Sequence, residues 1–209
     1  MTDPNERALL PPGLGDVLAP GAQFEADAVE RLMAAFAAHG YQRVKPPLIE
    51  FEASLLAGKG NAIAAQAFRM MDPVSQKMLA IRPDMTLQVA RIAETRLGGA
   101  PRPLRLSYAG QVLRIKGSQM RPERQFGQVG AELIGAARTE ADGEVIVMAI
   151  DALDALGVAN LSVDLGQPTL VPAITGQLGD DVGERLRQAL DRKDAAAVKA
   201  LRDDLGAGI

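Results

Sequence analysis

Cysteine is absent from the chain, which rules out disulfides, thiolate metal sites and cysteine nucleophiles. Histidine is nearly absent too. With His39 alone, a transition-metal site is not expected and no Ser/His/Asp arrangement can be built. Tryptophan is missing and aromatic residues make up only 3% of the sequence, so the core must be aliphatic, with eight methionines as adaptable filler. No apolar run approaches the roughly 20 residues needed to cross a bilayer, and the polar opening MTDPNERALLPPG lacks the apolar stretch of a signal peptide. A cytoplasmic location without a membrane partner is the expectation. Charge is nearly balanced, with a formal net value of -3. Nothing global draws the chain to nucleic acid, which is not expected as a partner, although a local basic patch stays open.

What is present fits a soluble globular protein of 209 residues, 47% hydrophobic and 23% charged, large enough for one domain with a small appendage. Residues 1–20 are rich in Pro and Gly and read as an extended arm. From Phe24, Val29, Leu32, Met33 and Phe36 fall on one helical stripe that Gly40 stops. Tyr41–Val44 reads as a short strand, and Pro46-Pro47 force an extended path after it. A hairpin is predicted over 68–82, with arms FRMM and KMLAIR and a turn around Asp72-Pro73. A helix over Thr86–Leu97 closes at Gly98-Gly99. Strands are predicted at about 104–109, 111–116 and 125–134, then a helix over about 139–156 and a strand at 161–165 (LSVDL). From about 179 the chain reads as two short amphipathic helices, with Asp194 an N-cap for the second. Strands in a run, with few helices between them, predict an α/β protein of the α+β type: a mostly antiparallel sheet with helices packed on one face. The expected domains are 1–178 and a helical tail, 179–209, that begins a further segment.

The stretch RQFGQVGAELIG is the most informative. Alternation along a strand places Phe126, Gln128, Gly130 and Glu132 on one face and Val129, Ala131 and Leu133 on the other, which looks like core. A glycine between two polar residues leaves space above the backbone for a small polar ligand, although a polar edge face would look the same. The preceding strand offers Val112, Arg114 and Lys116 on one face. Two cations so close need an anion, from a ligand or from a salt bridge of Arg114 to Glu132 or Asp84. In IRPDMT, Asp84 or Thr86 can cap the following helix, and the Asp84 carboxylate can also receive an ammonium group.

Together these segments resemble histidyl-tRNA synthetase and its paralogues over residues 9–168. PPGLGDVLAP is similar to the family's N-terminal segment, and YQRVKPPLIEF to motif 1 of class II synthetases, which builds the dimer interface. IRPDMT resembles the family's Arg-Pro-Glu-x-Thr. LSYAGQVLRIKGSQMRPERQFGQVGAELIG resembles motif 2 followed by the histidine-pocket strand. The resemblance implies a class II synthetase-like fold, with Arg114 as the motif 2 arginine that meets the substrate carboxylate and the ATP α-phosphate. It implies that Gln128 and Glu132 hold the amino group, with Asp84 where the synthetase has a glutamate. Asp84, Thr86, Arg114, Gln128 and Glu132 are thus the candidate histidine-like pocket.

Departures from the synthetase pattern point away from catalysis. Lys116 stands where a glutamate accepts from the adenine amino group, and lysine has no acceptor. Pro122 replaces an arginine that grips ATP phosphates, although Arg121 stands one place earlier. No motif 3 arginine is recognisable after Gly166, and no anticodon-binding domain follows, so the chain reads as the N-terminal part of the family's usual length, either as a truncated piece or as a shortened protein. Because class II activation is positioning and charge stabilisation at the α-phosphate, these losses should abolish it. The pattern resembles the regulatory subunit family of short-form ATP phosphoribosyltransferase. That resemblance implies no catalytic residues and no cofactor, a homodimer within a hetero-oligomer, the catalytic subunit as partner, and histidine as effector. Two competing readings are a histidyl-tRNA synthetase fragment that activates histidine with ATP, and a free-standing module that binds amino acids or tRNA.

Overall fold

The computed structural model describes residues 10–56, 61–166, 169, 172–173, 180–191 and 193–206. The chain divides into two compact units, Met1–Leu161 and Ser162–Ile209.

In the first unit, helix α1 (Gly21–Ala38) buries Met33 and Phe36, with Val29 and Leu32 packed beside them, as the apolar stripe requires. Gly40 ends it at φ +81, a conformation costly for any residue with a Cβ, and its N–H bonds to the Ala37 carbonyl at 2.9 Å. The chain then enters β1 (Gln42–Arg43), which lies parallel to β5 (Leu104–Leu113); β5 pairs antiparallel with β6 (Gln125–Ile134) in the order β1-β5-β6. A second, antiparallel sheet holds β2 (Ile49–Phe51), β3 (Arg69–Met71) and β4 (Met78–Ile81) in the order β2-β4-β3. β3 and β4 are the predicted hairpin, and Asp72 organises its turn by accepting from the Val74 and Ser75 N–H groups. Short helices α2 (Glu52–Leu55) and α3 (Asn61–Ala64) come between β2 and β3 along the chain.

Helix α4 (Thr86–Thr95) and helix α5 (Thr139–Ala155) complete the unit. The β5–β6 ladder pairs Leu104 with Ile134, Leu106 with Glu132, Tyr108 with Gly130, Gly110 with Gln128 and Val112 with Phe126. Leu104, Leu106, Tyr108 and Val112 pack on Met85, Val89 and Ala93 at α4. Ala109, Val129, Ala131 and Leu133 face α1 and α5, where Met148 and Ala152 are buried. Helices therefore cover both faces of this sheet, not one. The single-face expectation failed because the α4 face carries the polar residues of β6, and their pairing with an apolar face of β5 is invisible until the register is known.

Two strand predictions need correction. The strands expected at 104–109 and 111–116 are one, since Gly110 continues the ladder instead of breaking it. A Cβ at Gly110 would lie 2.4 Å from Arg82 Nη2, so glycine is there to admit that side chain. The strand expected at 161–165 has no regular structure. Its alternation suits a sheet, but a strand exists only through a neighbour that completes its hydrogen bonds, and no ladder among the described residues includes it.

The second unit contains α6 (Asp180–Asp191) and α7 (Ala195–Gly206). Asp194 caps α7 as expected, its Oδ1 accepting from the Ala197 N–H at 2.9 Å. Residues 1–9 of the predicted arm lie outside the described residues. Among the described residues, no helix is long and apolar enough to cross a membrane, and no group of His, Asp and Glu is arranged to hold a metal ion.

Candidate functional site

The β6 face predicted from alternation is where the structure assembles its polar cluster. The first N–H groups of a helix have no intrahelical partner, and at the start of α4 two N–H groups are met, one from this face and one from the turn before the helix. Asp84 Oδ1 accepts from the Thr86 N–H at 2.7 Å, and Gln128 Oε1 accepts from the Met85 N–H at 2.9 Å. Gln128 Nε2 then donates to Asp84 Oδ2 at 2.9 Å. Both Asp84 oxygens and the whole Gln128 amide are thereby fixed, and the capping expectation for Asp84 and its proximity to Gln128 describe one arrangement.

A second branch runs through Tyr108, a residue the sequence reading did not single out. Its hydroxyl donates to Glu132 Oε1 at 3.0 Å and lies 3.0 Å from Thr86 Oγ1. Because the phenol has one proton and gives it to Glu132, the Thr86 hydroxyl is the donor to Tyr108, which sets a proton order Thr86 to Tyr108 to Glu132. Burial pushes the Tyr108 phenol far above its usual range; the Thr86 hydrogen bond opposes the shift, and the Glu132 and Asp84 carboxylates add to it. Tyr108 therefore remains a protonated donor. Extending the parity of Val112 and Arg114 back along β5 would have placed it on this face.

Tyr108 also corrects the reading of Gly130. The space above Gly130 is not an opening for a ligand. A Cβ there would lie 2.5 Å from both Tyr108 Cζ and its hydroxyl, so the glycine accommodates the ring opposite it in the ladder. The open space lies alongside, in a cleft of about 370 Å³ between α4 and the β6 face, lined by Thr86, Ala90, Ala93, Glu94, Arg102, Glu132 and Ile134.

Asp84, Thr86, Gln128 and Glu132 are thus brought together, and Arg114 stands apart from them. Its Nε donates to the Pro83 carbonyl at 3.2 Å, and its guanidinium lies over the Phe126 ring at 5.1 Å. It forms no ion pair with Glu132 or Asp84, so the salt bridge considered from the sequence is not made. Arg121 lies over the same ring at 4.5 Å. Arg114, Lys116 and Arg121, with Gln66, Ser118 and Glu123, surround a separate cleft of about 230 Å³. The site has a carboxylate side, whose oxygens accept only from neutral donors, and a cationic side joined to it through Pro83. An ionised carboxylate retains acceptor sites beyond those bonds, so the first side is suited to an ammonium or another N–H donor and the second to an anion.

A family model described as histidyl-tRNA synthetase matches residues 13–208. The chain is 62% identical over 202 residues to a protein of Paramagnetospirillum magneticum named ATP phosphoribosyltransferase regulatory subunit, covering 96% of this chain and 53% of that protein. A protein of the same name from Rhodospirillum centenum is 59% identical over 201 residues, covering 95% and 52%. Among solved structures, an ATP phosphoribosyltransferase regulatory subunit/histidyl-tRNA synthetase from Bacillus halodurans matches with a TM-score of 0.77 and 27% identity, over 99% of this chain and 53% of that one. The chain spans about half the length of the curated relatives it matches. The fold is that of class II aminoacyl-tRNA synthetases, and the chain belongs to the histidyl-tRNA synthetase family.

Proposed function

We propose that this chain is the synthetase-like part of a regulatory subunit of ATP phosphoribosyltransferase, with no aminoacylation activity of its own. In this reading it acts with the catalytic subunit of the short-form enzyme, in the first step of histidine biosynthesis, and its pocket makes that step responsive to histidine. It is a homodimer within a hetero-oligomer. The relatives named as such regulatory subunits support the assignment.

The carrying observation is the asymmetry of the site. Its amino-acid side is assembled from Asp84, Thr86, Gln128 and Glu132, whereas its nucleotide side presents Lys116 and Pro122 where the synthetase pattern has an acceptor and a phosphate-gripping arginine. Such a site retains recognition and lacks the means to stabilise charge at the α-phosphate.

Two measurements test it. Histidine-dependent ATP–pyrophosphate exchange should stay at background, and exchange above background would establish the synthetase reading instead. In calorimetry on the longer protein, Glu132→Ala should weaken histidine binding at least tenfold, since truncating one partner of a desolvated charged hydrogen bond costs roughly 2–5 kcal/mol. Arg121→Ala should change it little. An unchanged affinity for Glu132→Ala, with feedback inhibition of the partner intact, would place the histidine site elsewhere.

A further inference from the structure

Outside the pocket, the structure buries a chain of charged and amide side chains that the mechanism above does not use. Arg82, only 6% exposed, donates through Nε to the Gln111 carbonyl of β5 at 2.8 Å and through Nη1 to the Pro46 carbonyl at 3.1 Å and to Gln88 Oε1 at 3.4 Å. Gln88, 1% exposed, donates to the Pro47 carbonyl at 2.7 Å and to Glu50 Oε1 at 2.9 Å. Glu50 is gripped by both arms of Arg91, through Nε at 3.0 Å and through Nη2.

This chain has two ends. At the inner end, Arg82 is followed directly by Pro83, whose carbonyl holds Arg114, and by Asp84, which caps α4 and bonds Gln128. At the outer end, Arg91 lines a surface groove of about 600 Å³ with Lys45, Pro46, Pro47, Ile49 and Phe51, and none of the groove's lining residues borders the cleft beside Glu132. Two cations in a chain that holds a single carboxylate are a poor means of gaining stability, because desolvation offsets most of the attraction and apolar packing would serve as well. What the arrangement does supply is geometry: fixed donor directions, anchored on two proline carbonyls whose backbone is stiff.

We propose that Arg82, Gln88, Glu50 and Arg91 are positioning residues, a buried relay that holds the start of α4, and with it Asp84, in register with β6 from the groove at Pro46–Phe51. Its importance for ligand binding rests on the pocket reading above; the relay itself does not.

Amide hydrogen exchange at Met85 and Thr86 is the direct readout. Those two N–H groups are protected by Gln128 and Asp84 and not by the helix itself. In the 209-residue chain, Arg91→Met should accelerate exchange at Met85 and Thr86 at least tenfold at temperatures where the variant is folded. Arg91→Lys, which keeps the charge without the two-armed grip, should do so less. Lys45→Met, in the same groove but outside the relay, should stay within twofold of wild type. Histidine affinity should fall at least threefold in Arg91→Met. Unchanged exchange at Met85 and Thr86, or acceleration shared equally by amides of β5 and α5, would overturn the relay. If Arg91→Met does not fold, Arg91→Lys decides by the same comparison. A wild-type chain and longer protein that both bind no histidine would sink the pocket reading, and the exchange comparison would still decide the relay.

Discussion

Two buried tyrosines show how much one hydroxyl's surroundings matter. Tyr108 has its hydroxyl bonded to Glu132 and near Thr86. Tyr41, 3% exposed, packs its ring against the α1–α5 core, and its hydroxyl has no partner among the described residues. Burial raises the Tyr41 phenol above its usual value, with the nearby Glu144 carboxylate adding to the shift and Arg105 opposing it. An unmade buried hydrogen bond costs about 1–3 kcal/mol. Tyr41→Phe should therefore leave urea-denaturation stability unchanged or raise it, whereas Tyr108→Phe should lower it by about 1–3 kcal/mol because Glu132 and Thr86 lose their shared partner. Equal effects of the two substitutions would contradict the assigned partners. Gly130→Ala should cost a similar amount, about 1–3 kcal/mol, by driving a Cβ into the Tyr108 ring. Alternation alone put Gln128, Gly130 and Glu132 on one face, so much of the cluster could be read from β6. What filled the space above Gly130 could not, because it depends on the register that sets Tyr108 opposite, and register is a tertiary fact.

At the level of elements, periodicity and end signals were the legible part. The α1 stripe, the stop at Gly40, the hairpin around Asp72 and the cap at Asp194 each follow from local chemistry, and each is found. Asp194→Ala should remove about 1 kcal/mol from α7, seen as earlier loss of helical circular dichroism on heating. The strand expected at 161–165 and the division of β5 failed for one reason: whether a residue is in a strand depends on a partner elsewhere. The contact between β5 and α5 was equally hidden, since nothing in the sequence pairs Arg105 with Glu144. Arg105 donates to both Glu144 oxygens, at 3.0 and 2.9 Å, and this holds the Glu144 carboxyl below its usual value. A depressed folded value means that the contribution is present above the unfolded carboxylate range, about pH 4, and lost as pH falls through the folded value. Glu144→Gln should accordingly lower the melting temperature slightly at pH 7, and the gap to wild type should close on acidification. A gap that widened toward acid would mean that the bridge does not form.

On the scale of the whole molecule, the second sheet leaves apolar surface uncovered. The register sets Ile49 opposite Ile81, Phe51 opposite Leu79, and Met70 opposite Leu79 from the other side, so strand alternation places all five side chains on one face. Ile49, Phe51 and Met70 are 38%, 42% and 39% exposed, and Leu48 beside them is 45% exposed. Their neighbours on the opposite face are employed differently: Ala80 is buried with Leu55 and Ala67, and Glu50 belongs to the relay. An apolar face of this kind suits association with a second chain. It coincides with the motif 1-like segment Tyr41–Phe51, for which the resemblance implies a two-fold contact. A two-fold axis brings the same patch from each copy together, so one substitution counts twice in the interface. Light scattering at micromolar concentration should therefore give the mass of a dimer, and Ile49→Glu should weaken the dimer at least tenfold, because it would take a carboxylate from each copy out of water at an apolar contact. Lys116→Glu, in the loop beside Phe126, should leave the dimer intact. A monomeric wild type would show that this face serves a different partner, and a dimer unaffected by Ile49→Glu would move the two-fold contact to another surface.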